Sequence, residues 1–309
     1  MTGGYAATSA QQVDELLNIP KLGIGLLYNP SLVEFLESDL DGLDYIEIIP
    51  DMFWTDRGHG QSPRYIDLES WVRALEWIAS RWPIVGHNIG LSLGSADVFD
   101  EEHLDRLAGW VQRYRYPWHS DHLSFLRISG PDGHDHNAGL AVPVPYDEEL
   151  LDLFINRIKR VRQKAPIPFL IENSVYFVDI PEQEMSEPEF LNRLSIGSGC
   201  GLLLDLHNLY TNSRNHNFDP LEFVNQLDLG RVVEIHIAGG SELAGMWTDS
   251  HAGPVSEPVW ELLAYTVPKT ANLAAITFEF HDSYYPLLKT EGIRQQLERA
   301  RTSWNARRV

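Results

Sequence analysis

The chain has 309 residues, 43% of them hydrophobic and 22% charged, with 24 Lys and Arg against 44 Asp and Glu, a formal net charge of −20. A chain of this size buries roughly three quarters of its extended surface on folding, which excludes disordered and collagen-like classes. The acidic excess repels phosphate backbones and anionic lipid, so nucleic acid and membrane are not expected partners, and no apolar run approaches the roughly 20 residues of a membrane-spanning helix.

Residues 1–20 read as an N-terminal tail or first cap. Met1 to Gln12 lacks the basic start and apolar centre of a signal peptide. From Leu22 onward, apolar runs of strand length alternate with stretches of helical period. The eight runs are Leu22 to Asn29, Tyr45 to Pro50, Ile84 to Gly90, Trp118 to Phe125, Pro168 to Asn173, Gly201 to Asn208, Val232 to Gly239 and Ala275 to Asp282. Helices are expected over Ser31 to Leu40, Ser70 to Arg81, Glu101 to Arg115, Asp147 to Lys164, Glu187 to Leu194, Asp219 to Leu227, Pro258 to Tyr265 and Glu291 to Trp304. Asn29, Asp100 and Asp219 stand where N-caps belong. Eight such units over residues 21–309 predict a single α/β domain, a closed (β/α)8 TIM barrel. No Gly-x-Gly-x-x-Gly follows any run, so a dinucleotide fold is not favoured. Ser129 to Gly139 and Ile180 to Pro188 read as long loops on the functional face.

From the third run to the eighth, an apolar start gives way to carboxylate, imidazole or amide side chains at the end. They are His87 and Asn88; His119, Asp121 and His122; Glu172 and Asn173; Asp205, His207 and Asn208; His236, with Asp249 and His251 in the loop beyond; and Glu279, His281 and Asp282. So many carboxylates converging on one barrel mouth demand a cation, and mixed imidazole and carboxylate donors suit zinc, iron or manganese. Strand alternation lets only some of these side chains face the lumen, so His119, His122, His207 and His281 are open between ligand and packed imidazole. His59 and His103 read as ordinary loop and helix residues, and His134 and His136 as solvated. Cys200, the only cysteine, allows no internal disulfide, precedes its strand on the opposite face and reads as an inert thiol. With one cysteine and no signal sequence, a cytoplasmic location is expected.

Spacing adds specificity. Asp205 to Asn208 is a D-x-x-N step, Asp249-Ser250-His251 a D-x-H step, and thirteen residues separate His236 from Asp249. The layout resembles the metal sites of xylose-isomerase-like barrels, endonuclease IV among them. Locally, His87 to Gly94, Ser120 to Ser124, Leu170 to Asn173, Leu204 to Asn208, Asn215 to Pro220, Ile235 to Gly239, Asp249 to His251 with Pro254-Val255, and Phe278 to Phe280 resemble the multinuclear non-haem iron-dependent oxidative enzymes (MNIO), the methanobactin-synthesising MbnB-like group.

The resemblance implies two or three irons of mixed ferrous and ferric state, dioxygen as co-substrate, and oxidative modification of a residue, often cysteine, in a ribosomally made precursor peptide (RiPP), usually with a separate peptide-recognition protein. Carried over, it assigns His87, Asp121 and Glu172 to a first metal and Asp205, His236 and Glu279 to a second, with Glu172 bridging. It gives Asn208, Asp249 and His251 to a third, and no catalytic residue beyond the metal ligands. The chain departs from the family in Asp51-Met52, where a Glu-Asn pair is common; in Gly240, where a His often follows the Ala-Gly; and in Ala252-Gly253, in place of Asp-His. Other readings are a zinc or manganese phosphodiesterase or sugar isomerase on the same barrel, or a non-catalytic peptide-binding barrel.

Overall fold

The computed structural model describes residue 16 and residues 18–38, 42–130, 135–181 and 183–307. Its centre is a closed parallel barrel of β1 (Gly23–Leu27), β2 (Tyr45–Ile48), β3 (Ile84–His87), β4 (His119–His122), β5 (Phe169–Glu172), β6 (Gly201–Asp205), β7 (Val232–Ala238) and β8 (Ala275–Glu279), each paired with its neighbours in sequence and β8 with β1. These strands lie within the eight apolar runs, in the expected order. Observed strands stop short of the runs' ends because the polar side chains there belong to turns and caps.

Around the barrel lie α1 (Val33–Ser38), α2 (Glu69–Ala79), α3 (Glu101–Tyr114), α4 (Glu148–Lys164), α5 (Glu187–Ser198), α6 (Leu206–His216), α7 (Pro220–Gln226), α8 (Glu257–Thr266) and α9 (Tyr285–Asn305). Their sequences explain them. In α3 the Asp100 carboxylate accepts the His103 amide N–H, and Leu104, Leu107 and Val111 line one buried face at helical spacing. Asn29 caps the 3-10 turn Pro30–Leu32 that leads into α1 through the Ser31 amide, and Asp219 caps α7 through the Leu221 amide. The large apolar core lies between strands and helices; Phe35, Leu75, Phe154, Phe190 and Leu263 are fully buried there, each side chain contributing about 2 kcal/mol of transfer free energy.

A second, smaller core fills the N-terminal end of the lumen with Tyr45, Val85, Trp118, Leu170 and Leu203, and Leu16 and Ile19 pack against it. Two residues further along the same strands stand Glu47, His87, Ser120, Glu172 and Asp205. Because strand side chains alternate with period two, those residues occupy the next layer toward the mouth. The apolar plug thus forms the floor on which the polar layer rests.

Antiparallel hairpins enter the loops after β2, β4 and β7: 54–56 with 65–67, 125–129 with 135–142, and 241–243 with 246–248. In the expected loop Ser129 to Gly139, residues 129 and 135–139 are hairpin strand, whereas residues 183–186 before α5 are irregular as expected. His134 lies outside the described residues. No helix among the described residues is long and apolar enough to cross a membrane.

Candidate metal centre

Register decides which strand-end side chains meet. Trp118, just before β4, and Ser120 and His122 on it share the lumen parity, which puts Asp121 on the alternate one. His122 pairs with Glu172 across β4 and β5, Asp205 with His236 across β6 and β7, and Ala238 with Glu279 across β7 and β8.

A continuous string of imidazoles and carboxylates results. Glu172 Oε2 lies 3.3 Å from His87 Nε2 and 3.1 Å from His122 Nε2, and Glu172 Oε1 lies 3.7 Å from His236 Nδ1. His236 Nδ1 is also 3.1 Å from Glu279 Oε1, and its Nε2 is 2.9 Å from Glu47 Oε2. Glu279 Oε2 is 3.4 Å from His251 Nε2, which is 2.9 Å from Asp249 Oδ1. His207 Nε2 approaches the same Asp249 oxygen at 3.5 Å. Glu47, His87, Glu172, Asp205, His236 and Glu279 are buried, while His251 and Asp249, with side chains 26% and 25% exposed, form the rim.

Orientation comes from neighbours. His87 Nδ1 is hydrogen-bonded to Ser120 Oγ at 2.8 Å, which turns Nε2 toward Glu172. Asn173 clasps β6: its Oδ1 accepts from the Asp205 amide at 2.8 Å, and its Nδ2 donates to the Asp205 carbonyl at 2.9 Å. Asp205 caps α6 through the Asn208 amide at 2.7 Å.

The electrostatics are those of a site built around positive charge. Burial pushes the Glu172 carboxyl well above the usual range despite the facing His236, and burial with Glu279 nearby lifts Asp205 to about 7. Burial opposes the His236 imidazolium, but Glu279 and Glu47 outweigh it and hold the ring well above its ordinary value. Burial likewise opposes His251, which Asp249 and Glu279 carry to about 10. Burial keeps His87 neutral, reinforced by the imidazoles of His122 and His236.

The donors fit a metal. Glu172 Oε2, both His236 nitrogens, both Glu47 oxygens, Asn208 Oδ1, Asp249 Oδ1 and His207 Nδ1 are buried, and although the charged ones stand close to one another, none makes a well-directed hydrogen bond. Buried polar atoms left in that state are costly unless a cation or water meets them. The sets His87, Glu172, His236 and Glu47, His236, Glu279 each bring ligating atoms within 4.8 Å of one another, as a single ion requires.

The structure thus brings together His87, Glu172, His236, Glu279, Asp249 and His251, with Asp205 and Asn208 beside them at the start of α6. It places Asp121 differently. That carboxylate accepts from the Leu91 amide at 3.2 Å and the His122 amide at 2.6 Å, and stands 3.9 Å from His122 Nδ1. His122 takes the lumen position on β4, and Glu47 and His207 join the string; the sequence leaves His122 and His207 open between ligand and packed imidazole and does not single out Glu47. Lumen parity with Tyr45 was the available signal for Glu47. His119 packs edge-on against Phe169 and contacts Asn88, and His281 is exposed beside Ser283. A third acidic group, His59 with Asp100 and Glu102, already holds a cation: the Arg64 guanidinium pairs with Asp100 at 2.6 Å, Asp56 at 2.8 Å and Glu102 at 3.0 Å. Cys200 is buried and its thiol is pushed up by burial.

Solved barrels share the architecture. A xylose isomerase domain-containing protein from Salmonella typhimurium superposes with a TM-score of 0.58 at 15% identity, covering 93% of this chain and 99% of that one. Endonuclease IV from Thermus thermophilus gives 0.52 at 16% identity, covering 89% and 100%. At these identities the likeness concerns the fold, a xylose-isomerase-like barrel. Closer in sequence are UPF0276 proteins: one from Caulobacter vibrioides is 32% identical over 287 residues, 93% of this chain and 95% of the relative. Another, from Rhizorhabdus wittichii, is 33% identical over 285 residues, 92% and 95%. The model of the family described as RiPP precursor modification enzyme MbnB/TglH/ChrH matches residues 21–304, and the chain belongs to that family, the MNIO group.

Proposed function

We propose that this chain is an iron- and dioxygen-dependent enzyme that oxidatively modifies a residue, cysteine being the foremost candidate, of a ribosomally made precursor peptide. The observation that carries the reading is the buried string centred on Glu172, whose two oxygens face imidazoles from three different strands. When bound, two or three irons supply redox chemistry with dioxygen and a Lewis-acidic anchor for a substrate heteroatom. His87, His122, Glu172, His236, Glu279, Asp249 and His251 would hold them, with Asp205 and Asn208 adjacent. Harder carboxylate and amide donors, and the absence of thiolates from the set, suit iron or manganese better than structural zinc.

The remaining residues orient and enclose. Ser120 fixes the His87 ring, and Glu47 faces the far nitrogen of His236 so that Nδ1 points to Glu172 and Glu279. Beside the loop that follows His87 lies a cavity of about 550 Å³ lined by Asp51, Trp54, Ile89, His103, Leu126 and Arg127. Its mixed walls suit an extended peptide, with Trp54, Ile89 and Leu126 offering apolar contact and Asp51 and Arg127 polar contact. A separate recognition protein would present that peptide, and the protein would act in the cytoplasm.

The test is metal analysis of protein made in iron-supplemented cells, with Mössbauer spectroscopy for coupled irons, followed by mass spectrometry of a precursor peptide with and without dioxygen. A peptide mass change requiring both iron and dioxygen is expected. Full zinc occupancy with phosphodiester hydrolysis would overturn the proposal.

A further inference from the structure

His207 is fully buried near the start of α6, the helix that Asp205 caps. Its Nδ1 makes no well-directed hydrogen bond, its Nε2 lies 3.5 Å from Thr211 Oγ1, one turn along the same helix, and the Thr248 backbone is close enough to favour the protonated ring. A buried imidazole with so few well-directed hydrogen bonds is costly unless something else binds it. What Nε2 faces is the Asp249 oxygen, 3.5 Å away, which His251 Nε2 also approaches, at 2.9 Å.

Room for this ring is made on another strand's loop. A Cβ at Gly240, two residues past β7, would lie 2.6 Å from His207 Cε1, 2.4 Å from Trp247 Nε1 and 2.7 Å from the Thr248 carbonyl oxygen. The first of those contacts is with the imidazole itself. Gly240 is not among the residues with positive φ, so its own backbone conformation does not require glycine there; the surrounding atoms do, the His207 ring, the Trp247 indole and the Thr248 carbonyl oxygen together. Trp247 is held over the spot by a pair of hydrogen bonds with Asn215, from its amide to Oδ1 and from Nδ2 to its carbonyl, each 2.9 Å.

We infer that His207 is a ligand of the metal held by Asp249 and His251, and that Gly240 lacks a side chain so that the imidazole from α6 can fill the space on that side of the site. This rests on the barrel mouth being a metal centre. Asp249 would then lie between two imidazoles from different elements, a donor set of two nitrogens and a carboxylate with the Asn208 amide oxygen close by, suited to a divalent first-row ion.

The experiment counts metals per chain by mass spectrometry in the purified protein, with far-UV circular dichroism to establish folding. Compared are the wild type, His207→Asn, Gly240→Ala, and the double variant His207→Asn with Gly240→His. Loss of one metal equivalent is expected in each single variant. Its recovery is expected in the double variant, which returns an imidazole to the same space from the other side. As a measurement that needs no variant to fold, zinc titration of the 15N-histidine-labelled wild type should move the His207 ring nitrogens to metal-bound shifts. Unchanged metal content in folded His207→Asn, or unmoved His207 nitrogens when zinc is bound, overturns the inference and leaves the metal-centre reading intact. A wild type that takes up no metal overturns that reading and the inference together.

Discussion

Glu172 Oε2 lies 3.1 Å from His122 Nε2, across the register pair that joins β4 to β5. The same oxygen is 3.3 Å from His87, and its companion Oε1 looks the other way, toward His236. A carboxylate whose two oxygens address separate groups of donors is placed to bridge two ions. Glu172→Ala should therefore lose two metal equivalents per chain, measured by elemental analysis of the folded variant. Loss of one alone would contradict the bridge.

Asp121 and His122 exchange roles in a testable way. The Asp121 carboxylate holds the amides of Leu91 and His122 and so fixes the start of the loop after β3 and the end of β4. His122→Ala should cost a metal equivalent, whereas Asp121→Asn should keep every equivalent and weaken affinity by roughly 10- to 100-fold, the usual effect of losing an orienting partner. Competition with a chelator separates the two. Should Asp121→Asn lose the ion and His122→Ala retain it, Asp121 is the ligand, as the family resemblance implies.

The β4 case shows what the linear sequence carries and what it does not. Eight apolar runs broken by helical stretches are enough for the barrel, because the period of each run depends only on its own residues. Choosing between Asp121 and His122 needs the strand's phase, and both neighbours are polar, so hydrophobicity cannot supply it; Trp118 in the lumen plug does. The helix from Leu206 to His216 went unread because its first residues continue the apolar run of β6, and only the Asp205 side chain capping the Asn208 amide marks the break. The relation of His207 to Gly240 joins residues far apart in sequence on different elements, and a glycine that exists to admit a distant ring has no local signature.

Away from the mouth, the Arg64 guanidinium is shared by Asp56, Asp100 and Glu102, its side chain and that of Asp100 are each only 3% exposed, and Arg127 also reaches Asp100, at 3.2 Å. Removing Arg64 leaves the buried Asp100 with Arg127 alone and takes the guanidinium from Asp56 and Glu102. Arg64→Met should cost about 3 kcal/mol and lower the melting temperature by roughly 5 °C, with metal content unchanged. A melting temperature within a degree of wild type would show that the network contributes nothing net.

Glu187 provides a pH test independent of the metal centre. It opens α5 but is buried, with Oε1 unpartnered, and burial pushes its carboxyl from an ordinary 4.5 to about 8, against a hydrogen bond from Tyr146 that favours the ionised form. Between pH 4.5 and 8 the unfolded chain has released this proton and the folded chain still holds it. Stability therefore falls as pH rises through that window and levels off above it. Glu187→Gln keeps a neutral side chain of the same shape at every pH, so it should match the wild type near pH 5 and become progressively more heat-stable than it toward pH 8. Thermal melts of both proteins across pH 5 to 9, taken as a difference so that the mouth carboxylates cancel, read this directly. A difference that does not change with pH would show that Glu187 is ionised in the folded chain throughout.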